Sequence, residues 1–510
     1  MSTSLSVRGA AVAAGAVLAV GATSLASGPT AQAAVPIDLI SATPGGASGN
    51  SGSTQPAFSS DGRWAAFCSA ASNLVPGDTN GKTDVFLRDM TTGKVRIVSH
   101  PFGTPVQANG DSCSQSGVGW DLGVSVDGRY VVFDSTASNL VGGDTNALSD
   151  VFRWDRVTGR TQLVSVRRVA PARSGNNASV APRVSGDGRF VVFQSSANDL
   201  SATNPGVTTP QVYLRDMATS TTRLVSLTST GKVPNNFAER SDISADARFI
   251  TFESDATNIV PGDTNATRDI FRRDLVTGAV VMVSRKSNGA ISDGFSMNGA
   301  ISGNGRFVVF ESDGVLVPGD TNGFRDIYVR DLTAKTTTRA SLTSTSAQIP
   351  GGSSRPKISA DGSRVTFDSD AKYGIVPGDN NSASDVFLRN LKLNATLRVS
   401  ANGAASGGTF GTISGNGRRI GFLSTAALAG TDANATDDAY SFTFPKSGDV
   451  TPPRVVFNGN FAVVTDGSGI AQVLVNGLPR HLDAANRVPV AAGQLVQVWD
   501  GSALRTSLRR

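Results

Sequence analysis

The 510-residue chain has little of what most catalytic sites are built from. It has two histidines and two cysteines, and aromatic residues make up 6% of it. His100 and His481 fall in different predicted domains, and the sequence has no Gly-x-Ser-x-Gly elbow, no His-Glu-x-x-His helix and no phosphate-binding glycine loop. A Ser/His/Asp site would have to use His100 with partners that the sequence does not identify. These absences argue against an enzyme of those classes.

Charge is sparse and long apolar runs are missing after the N-terminus. Charged residues are 17% of the chain, and the pI near 9.3 does not come from a Lys/Arg-rich run, because the basic residues recur at repeat positions. We therefore interpret them as solvated charges and expect no nucleic-acid partner. No later segment has the ~18 apolar residues that would span a bilayer.

The N-terminal segment is typical of a secretory signal peptide. Arg8 precedes an apolar stretch from Gly9 to Ala22, and small residues ending in Ala31-Gln32-Ala33 supply a cleavage site. Removal of residues 1–33 takes away only Arg8 among the charged residues, so the net charge falls from +5 to +4 (5 − 1). The sequence thus predicts a secreted or cell-wall-associated protein without a membrane span.

Glycine is abundant instead, with 56 residues, and much of it belongs to a repeated turn. Seven turn signals recur 55 to 66 residues apart, each between a short strand and an apolar run such as Phe190–Phe193. The apolar run does not alternate, which predicts a strand covered on both faces. The seven turns are Asp61-Gly62-Arg63, Asp127-Gly128-Arg129, Asp187-Gly188-Arg189, Asp246-Ala247-Arg248, Asn304-Gly305-Arg306, Asp361-Gly362-Ser363 and Asn416-Gly417-Arg418.

Each repeat continues with a loop, a third strand, a second turn and a fourth strand that ends in serine. Four strands in about 60 residues, seven times over, predict the blades of a β-propeller. Only six fourth strands follow their own repeat, and they end at Ser99, Ser165, Ser226, Ser284, Ser341 and Ser400. The segment from Ile37 to Ser41 has the same pattern, so we expect the N-terminal strand to complete the last blade and close the ring.

These repeats resemble those of the TolB-like, WD-repeat-like propellers over roughly residues 37 to 444. The resemblance implies an all-β, seven-bladed propeller of four-stranded antiparallel blades, which we place at residues 34–446. Members of that family include binding scaffolds, domains fused to peptidases and polysaccharide-degrading enzymes, so the fold does not select an activity. Residues 447–510, which contain a Thr451-Pro452-Pro453 linker near their start, resemble a small bacterial immunoglobulin-like β domain.

The loop before the third strand carries Asp, Asn and Asp at positions i, i+2 and i+6, and we call it the Asp-x-Asn loop. Such closely spaced oxygen ligands suit Ca²⁺, as in integrin-type propellers. The alternative is that these residues form Asx turns and cap the next strand. The candidate ligands are Asp78, Asn80, Asp84, Asp144, Asn146, Asp150, Asp263, Asn265, Asp269, Asp320, Asn322, Asp326, Asp379, Asn381, Asp385, Asp432, Asn434 and Asp438; the third repeat departs, with Gln211 in the last position.

The two cysteines are expected to pair. Cys68 ends the second strand of the first repeat, and Cys113 lies in the junction between the first and second repeats. Both positions reach the same face of an up-and-down blade, and secretion favours oxidation. The sequence therefore predicts a Cys68–Cys113 disulfide.

The regular repetition favours a secreted, non-catalytic binding scaffold. Its partner is expected to be a protein or a cell-wall or polysaccharide ligand, bound on the loop face of a monomer. Trp120 and His100, in the irregular junction between the first two repeats, are the candidate partner-binding residues. Two alternatives stay open: a polysaccharide-acting hydrolase or lyase, and a calcium-binding propeller.

Overall fold

Each Asp-Gly-Arg turn is built by a serine and an aspartate two residues apart. In the first repeat, Ser59 Oγ donates to Asp61 Oδ1 (2.6 Å), which also accepts the amide of Arg63 (2.9 Å), while Trp64 N donates to Ser59 Oγ (3.0 Å). Gly62, with φ of +73°, turns the chain. The same serine-to-Asp or serine-to-Asn contact recurs in the other six turns. All seven predicted turns form.

The computed structural model describes residues 37–444, except 105, 114–121, 205, 371–373, 377–378, 380, 403–404, 430–431 and 433, and a set of C-terminal strands between 454 and 509. The described part is all-β. Seven four-stranded antiparallel sheets form the blades, which we number in the chain order of their first strands. The fold is the predicted seven-bladed propeller.

Within a blade, the first strand faces the centre of the ring and the fourth lies at the rim. The first strands are Ala57–Phe58, Gly123–Val124, Ser179–Val184, Ala238–Ile243, Ser296–Ile301, Ser353–Ile358 and Thr409–Ile413. The second strands are Trp64–Ser69, Tyr130–Ser135, Phe190–Ser195, Phe249–Ser254, Phe307–Ser312, Arg364–Asp370 and Arg419–Ser424. The third strands are Asp84–Asp89, Asp150–Asp155, Gln211–Asp216, Asp269–Asp274, Asp326–Asp331, Ser384–Asn390 and Asp438–Thr443. The fourth strands are Val95–Ile97, Thr161–Leu163, Thr221–Leu224, Val280–Met282, Thr336–Arg339, Ala395–Arg398 and Ile37–Leu39.

The second and third strands carry the core. Trp64–Ser69 is buried at every position, as expected for a strand covered on both faces. Each blade stacks an aromatic residue of its second strand on one of its third strand, as in Phe67 and Phe86, whose ring centroids are 5.7 Å apart. The same pairing recurs in the other six blades, so each sheet repeats one core arrangement.

The N-terminal strand closes the ring, as the sequence predicts. Ile37–Leu39 runs antiparallel to the third strand of blade 7, Asp438–Thr443, with Ile37 opposite Phe442 and Leu39 opposite Tyr440. Ile37 and Leu39 are buried, whereas Asp38 between them is exposed. The strand therefore covers an edge that would otherwise be open for pairing with another chain.

A second closure runs around the turn face of the ring. In six turns the residue before the turn Asp or Asn donates its amide to a carbonyl of the next blade, and in the seventh Asn416 itself closes the series by donating to Ser60 O (2.8 Å). At Gly186 the series leaves no room for a side chain, because a Cβ there would lie 2.8 Å from Ala245 O. The other six bonds are Ser60 to Val126, Val126 to Gly186, Gly186 to Ala245, Ala245 to Gly303, Gly303 to Ala360 and Ala360 to Gly415, at 2.8–3.0 Å.

The C-terminal strands form two sheets of their own. One contains Arg454–Asn458, Phe461–Thr465 and Arg487–Pro489, and the other contains Gln472–Val475, Leu478–Arg480, Leu495–Asp500 and Ala503–Arg509. A further small hairpin, Ala401–Asn402 with Ala405–Ser406, precedes blade 7. Residues 1–33, the predicted signal peptide, lie outside the described residues. In the part of the chain that the structure describes, there is no helix of the length and apolarity needed to cross a membrane.

Leu39 provides a test of ring closure. Its side chain is 7% exposed and packs in the apolar cluster of blade 7, so Leu39→Asp buries an unpaired charge in the closing strand. We expect a loss of unfolding free energy on the order of 3 kcal/mol and greater aggregation, measured by urea denaturation and light scattering. Asp38→Ser, which changes the exposed residue of the same strand, is the control. If the two variants unfold alike, the closing role of the strand is wrong.

Arginines of the turn face pair with the aspartates that end the third strands. Arg248 Nη2 lies 2.9 Å from Asp274 Oδ2, and this hydrogen bond lowers the pKa of Asp274 to about 2. Arg306 does the same for Asp331, whose pKa is also lowered to about 2. Equivalent pairs in blades 1, 2 and 3 join Arg63 to Asp89, Arg129 to Asp155 and Arg189 to Asp216.

These pairs predict an acid-labile ring. The pKa of each carboxylate is depressed in the folded state, so its stabilisation is present above the unfolded pKa of about 3.9 and is lost as the pH falls towards 2. Removing the guanidinium in Arg248→Gln should make unfolding free energy fall less steeply between pH 4 and pH 2, measured by denaturation at fixed pH values. Lys335→Gln removes an exposed cation elsewhere and should leave the slope unchanged. An unaltered slope in Arg248→Gln would contradict the assignment.

Candidate functional site

The last Asp of each Asp-x-Asn loop forms a buried bond to the serine that ends the fourth strand. In blade 1, Ser99 Oγ donates to Asp84 Oδ1 (2.5 Å) and accepts the amide of Val85 (2.9 Å). Burial raises the pKa of Asp84 to about 6. The same bond joins Ser165 to Asp150, Ser226 to Gln211, Ser284 to Asp269, Ser341 to Asp326, Ser400 to Asp385 and Ser41 to Asp438. We call this contact the third-to-fourth-strand bond.

The Asn of each loop forms an Asx turn and reaches towards the next blade. Asn80 Oδ1 accepts the amide of Lys82 (2.9 Å), and Asn80 Nδ2 donates to Asp84 Oδ2 (2.8 Å) and to the Ala108 carbonyl (3.3 Å). In blades 2, 4, 5 and 7, the corresponding Asn also donates to a carbonyl of the segment that leads into the next blade. These Asn residues thus form the Asx turns that the sequence analysis gave as the alternative to Ca²⁺ binding.

The six Asp-x-Asn loops stay apart, one on each of six blades, and do not converge on a shared centre. In the described residues, no group of three or more His, Cys, Asp and Glu is arranged to hold a metal ion. Each set keeps two carboxylates of its own, and calcium binding by these loops stays a prediction.

The first strands contain a two-residue bulge that lines the centre of the ring. In blade 4, Glu239 pairs with Glu253 and Asp242 with Thr251, which leaves Arg240 and Ser241 bulged. Arg240 has φ of +47°, a left-handed conformation that costs a non-glycine residue on the order of 1 kcal/mol. Blades 3, 5, 6 and 7 repeat the bulge with positive φ at Ala181, Asn298, Arg355 and Phe410.

Carboxylates of the preceding blade cap these bulges. Glu253 Oε2 accepts the amide of Asn298 (2.8 Å), and Glu311 Oε2 accepts that of Arg355 (2.6 Å). In blade 6, Asp368 accepts the amide of Phe410 (2.7 Å). Each acid is the residue before the last serine of a second strand, in Phe-Glu-Ser or Phe-Asp-Ser. The sequence analysis missed this recurrent signal.

The bulges surround a central channel with a cavity of about 870 Å³, lined by first-strand residues of all seven blades. Five cationic side chains line it, compared with two acidic ones, Asp242 and Glu311. A cavity of this volume is in the range used for small ligands and short oligomers. The cations are Arg183, Arg240, Arg325, Arg355 and Lys357.

Three of the five channel cations, Arg240, Arg325 and Arg355, are held by buried acids. Arg240 Nε lies 3.3 Å from Glu253 Oε1, which Arg268 Nη1 also approaches at 3.1 Å. Burial raises the pKa of Glu253 to about 7 against the effect of these guanidinium groups. Arg355 pairs with Asp368 (3.3 Å) and covers the ring of Phe410, and burial raises the pKa of Asp368 to about 6. The arginines are thereby fixed in the channel wall.

The two predicted partner-binding residues have different outcomes. His100 lies past the fourth strand of blade 1, half-buried, with Nδ1 3.0 Å from the Pro101 carbonyl oxygen. It does not line the central channel. Trp120 lies outside the described residues, so its role stays a prediction.

The cysteines pair as predicted. Cys68 and Cys113 form a disulfide with a Cα–Cα distance of 6.5 Å, and both are buried. Cys113 N also donates to Asp134 O, which places Cys113 beside the second strand of blade 2. Cys68 occupies the second-strand position where blades 4, 5 and 6 have the capping acid. The disulfide therefore ties the second strand of blade 1 to the segment that leads into blade 2.

Scans against protein-family models and curated proteins found no match. Among solved structures, the chain is similar to an oligogalacturonate lyase in complex with manganese, with 14% identity, a TM-score of 0.47, and coverage of 78% of this chain and 91% of that chain. It is also similar to TolB from Acinetobacter baumannii (13%, 0.38, 70% and 64%) and to the β-propeller domain of the Trilobed protease from Pyrococcus furiosus (11%, 0.46, 78% and 97%). At these identities and TM-scores, the likenesses carry no argument about function.

The disulfide predicts a measurable stability difference. It closes a loop with a sequence separation of 45, which in the loop-entropy model contributes about 3–4 kcal/mol. We expect Cys113→Ser to lose that amount of unfolding free energy in urea, and reduction of the wild-type protein to cause a similar loss. The double variant Cys68→Ser/Cys113→Ser is the control and should not respond to reductant. Two free thiols in the secreted wild-type protein would contradict the pairing.

Proposed function

We propose that the protein is a secreted, non-catalytic scaffold that binds an acidic polysaccharide in the central channel. The observation that carries the proposal is the set of five channel cations facing two channel acids. Arg240, Arg325 and Arg355 are each held by an acid behind them, yet their side chains stay 25%, 34% and 45% exposed. Guanidinium groups fixed in this way can pair with carboxylate or phosphate groups of a ligand at little entropic cost.

The proposal moves the ligand from the loop face, where the sequence analysis expected it, to the channel. Secretion is supported by the predicted signal peptide and by the disulfide, which persists in oxidising compartments. The TolB-like resemblance of the repeats is compatible with this role, since that family includes binding scaffolds. A protein ligand with an acidic surface is the competing partner.

The enzyme alternative would need an acid or base open to the ligand. Glu253, which lies behind the channel arginines, has a pKa raised to about 7 by burial, but both of its oxygens are already engaged, Oε1 by arginines and Oε2 by Asn298 N. Asp368 likewise caps the amides of Phe410 and Gly411. We favour binding over catalysis because these acids are already bonded to arginines and backbone amides around the channel.

Binding assays with acidic and neutral polymers test the function. We expect the protein to bind polygalacturonate or alginate but not dextran, with affinity that falls as salt rises. Arg240→Gln/Arg355→Gln should weaken binding at least tenfold, whereas the matched double variant Arg248→Gln/Arg306→Gln, which removes two turn-face arginines, should not. Thermal melts verify that each variant is folded.

Three results would contradict the proposal. Equal weakening by the two double variants would place the ligand elsewhere, and loss of binding in Trp120→Ala alone would favour the junction between blades 1 and 2. Shortening of the bound polymer, followed by size-exclusion chromatography, would establish the hydrolase or lyase alternative.

A further inference from the structure

Blades 5 and 6 show how a pair of loop carboxylates is neutralised. Arg339 Nη1 lies 3.4 Å from Asp320 Oδ1 and 3.1 Å from Asp326 Oδ2. In blade 6, Arg398 Nη1 lies 2.8 Å from Asp379 Oδ1. Each arginine stands two residues before the serine of the third-to-fourth-strand bond. One largely buried cation therefore serves the two carboxylates of the loop.

Blade 2 has the same two carboxylates but no such arginine. The residue two positions before Ser165 is Leu163. Asp144 and Asp150 are 7% and 0% exposed, and both Asp144 oxygens and Asp150 Oδ2 are buried without a hydrogen-bond partner. No donor lies at full hydrogen-bonding geometry to these three oxygens, although Ser174 and the Asn146 amide adjoin Asp144.

The Asn of this loop does not relieve them. In blades 1, 4 and 6, the loop Asn donates to the last Asp, at 2.8 Å from Asn80 to Asp84 and 3.0 Å in the other two blades. In blade 2, Asn146 Nδ2 instead donates to the Gly175 carbonyl (2.8 Å). Blade 2 therefore lacks the arginine, and its Asn146, although close to Asp150, does not donate to it at the geometry found in blades 1, 4 and 6.

Two buried carboxylates facing each other need a positive charge between them. Unpaired buried charge is costly, and a bound cation or a shared proton is the physical remedy. Ser174, at the start of blade 3, adjoins Asp144 and offers a further oxygen.

We propose that Asp144 and Asp150 bind one divalent cation of the Ca²⁺ class, which takes the place that Arg339 and Arg398 occupy in blades 5 and 6. Hard carboxylate oxygens, completed by the hydroxyl, carbonyl groups and water, are the ligands that such ions prefer. The site would join the loop of blade 2 to the start of blade 3, where Ser174 N already donates to Gly143 O (3.0 Å). This proposal does not depend on the proposed polysaccharide ligand.

The test uses the full-length secreted protein after chelator treatment. Titration with CaCl₂, with MgCl₂ and MnCl₂ as parallel arms, is followed by thermal melting, and bound metal is counted by elemental analysis. We expect Ca²⁺ to raise the Tm of the wild type by several degrees, because the ion binds only the folded state. Asp144→Asn should lose this response and one metal ion per chain.

Two exchange variants separate the cation site from general damage. Leu163→Arg supplies blade 2 with the guanidinium of blades 5 and 6, and should lose the Ca²⁺ response and one bound ion. Arg339→Leu removes the guanidinium from blade 5 and should gain one bound ion per chain. Coincident wild-type melts with and without Ca²⁺, with no metal bound, would overturn the proposal in favour of a shared proton. An unchanged response and metal count in Asp144→Asn would also overturn it.

Discussion

The ring depends on the third-to-fourth-strand bond. It is buried and repeated in every blade, and a hydrogen bond to a charged group contributes about 1.5–3 kcal/mol. In six blades it joins residues 15 positions apart, but in blade 7 Ser41 and Asp438 are 397 positions apart. One local contact therefore also connects the ends of the propeller. In blade 3, Gln211 takes the place of Asp, so an acceptor oxygen in that position is sufficient.

A second constraint, the convergence of the seven blades, shapes the centre of the ring. Seven sheets that converge on an axis bring their first strands close together, and the bulges give each strand room at the cost of left-handed backbone. The capping acids of the preceding blade offset that cost by accepting the bulge amides. Because those acids also hold arginines, one network stabilises the bulges and fixes the cations that would contact a ligand.

Equivalent positions in the repeat carry different chemistry. The residue before the last serine of the second strand is Cys68 in blade 1, Gln194 in blade 3, Glu253 in blade 4 and Leu423 in blade 7. In blades 4, 5 and 6 the acid at this position caps a bulge, and in blade 1 the cysteine binds blade 2 through a disulfide. Function can thus be added to a repeat fold by single substitutions that leave the strands in place.

The sequence by itself determined the architecture, because turn signals and strand patterns are local and recur seven times along the chain. The missing fourth strand at Ile37 to Ser41 predicted ring closure, and the two cysteines predicted their pairing; both are confirmed. The site was not predictable in the same way. Arg240 and Glu253 come from neighbouring strands of one blade, while Asn298 comes from the next, and only the ring brings them to one wall. Likewise, the sequence made all six Asp-x-Asn loops look equivalent. Packing alone decided that Arg339 and Arg398 enter two of them, because a fourth-strand residue faces the loop only after the blade has folded.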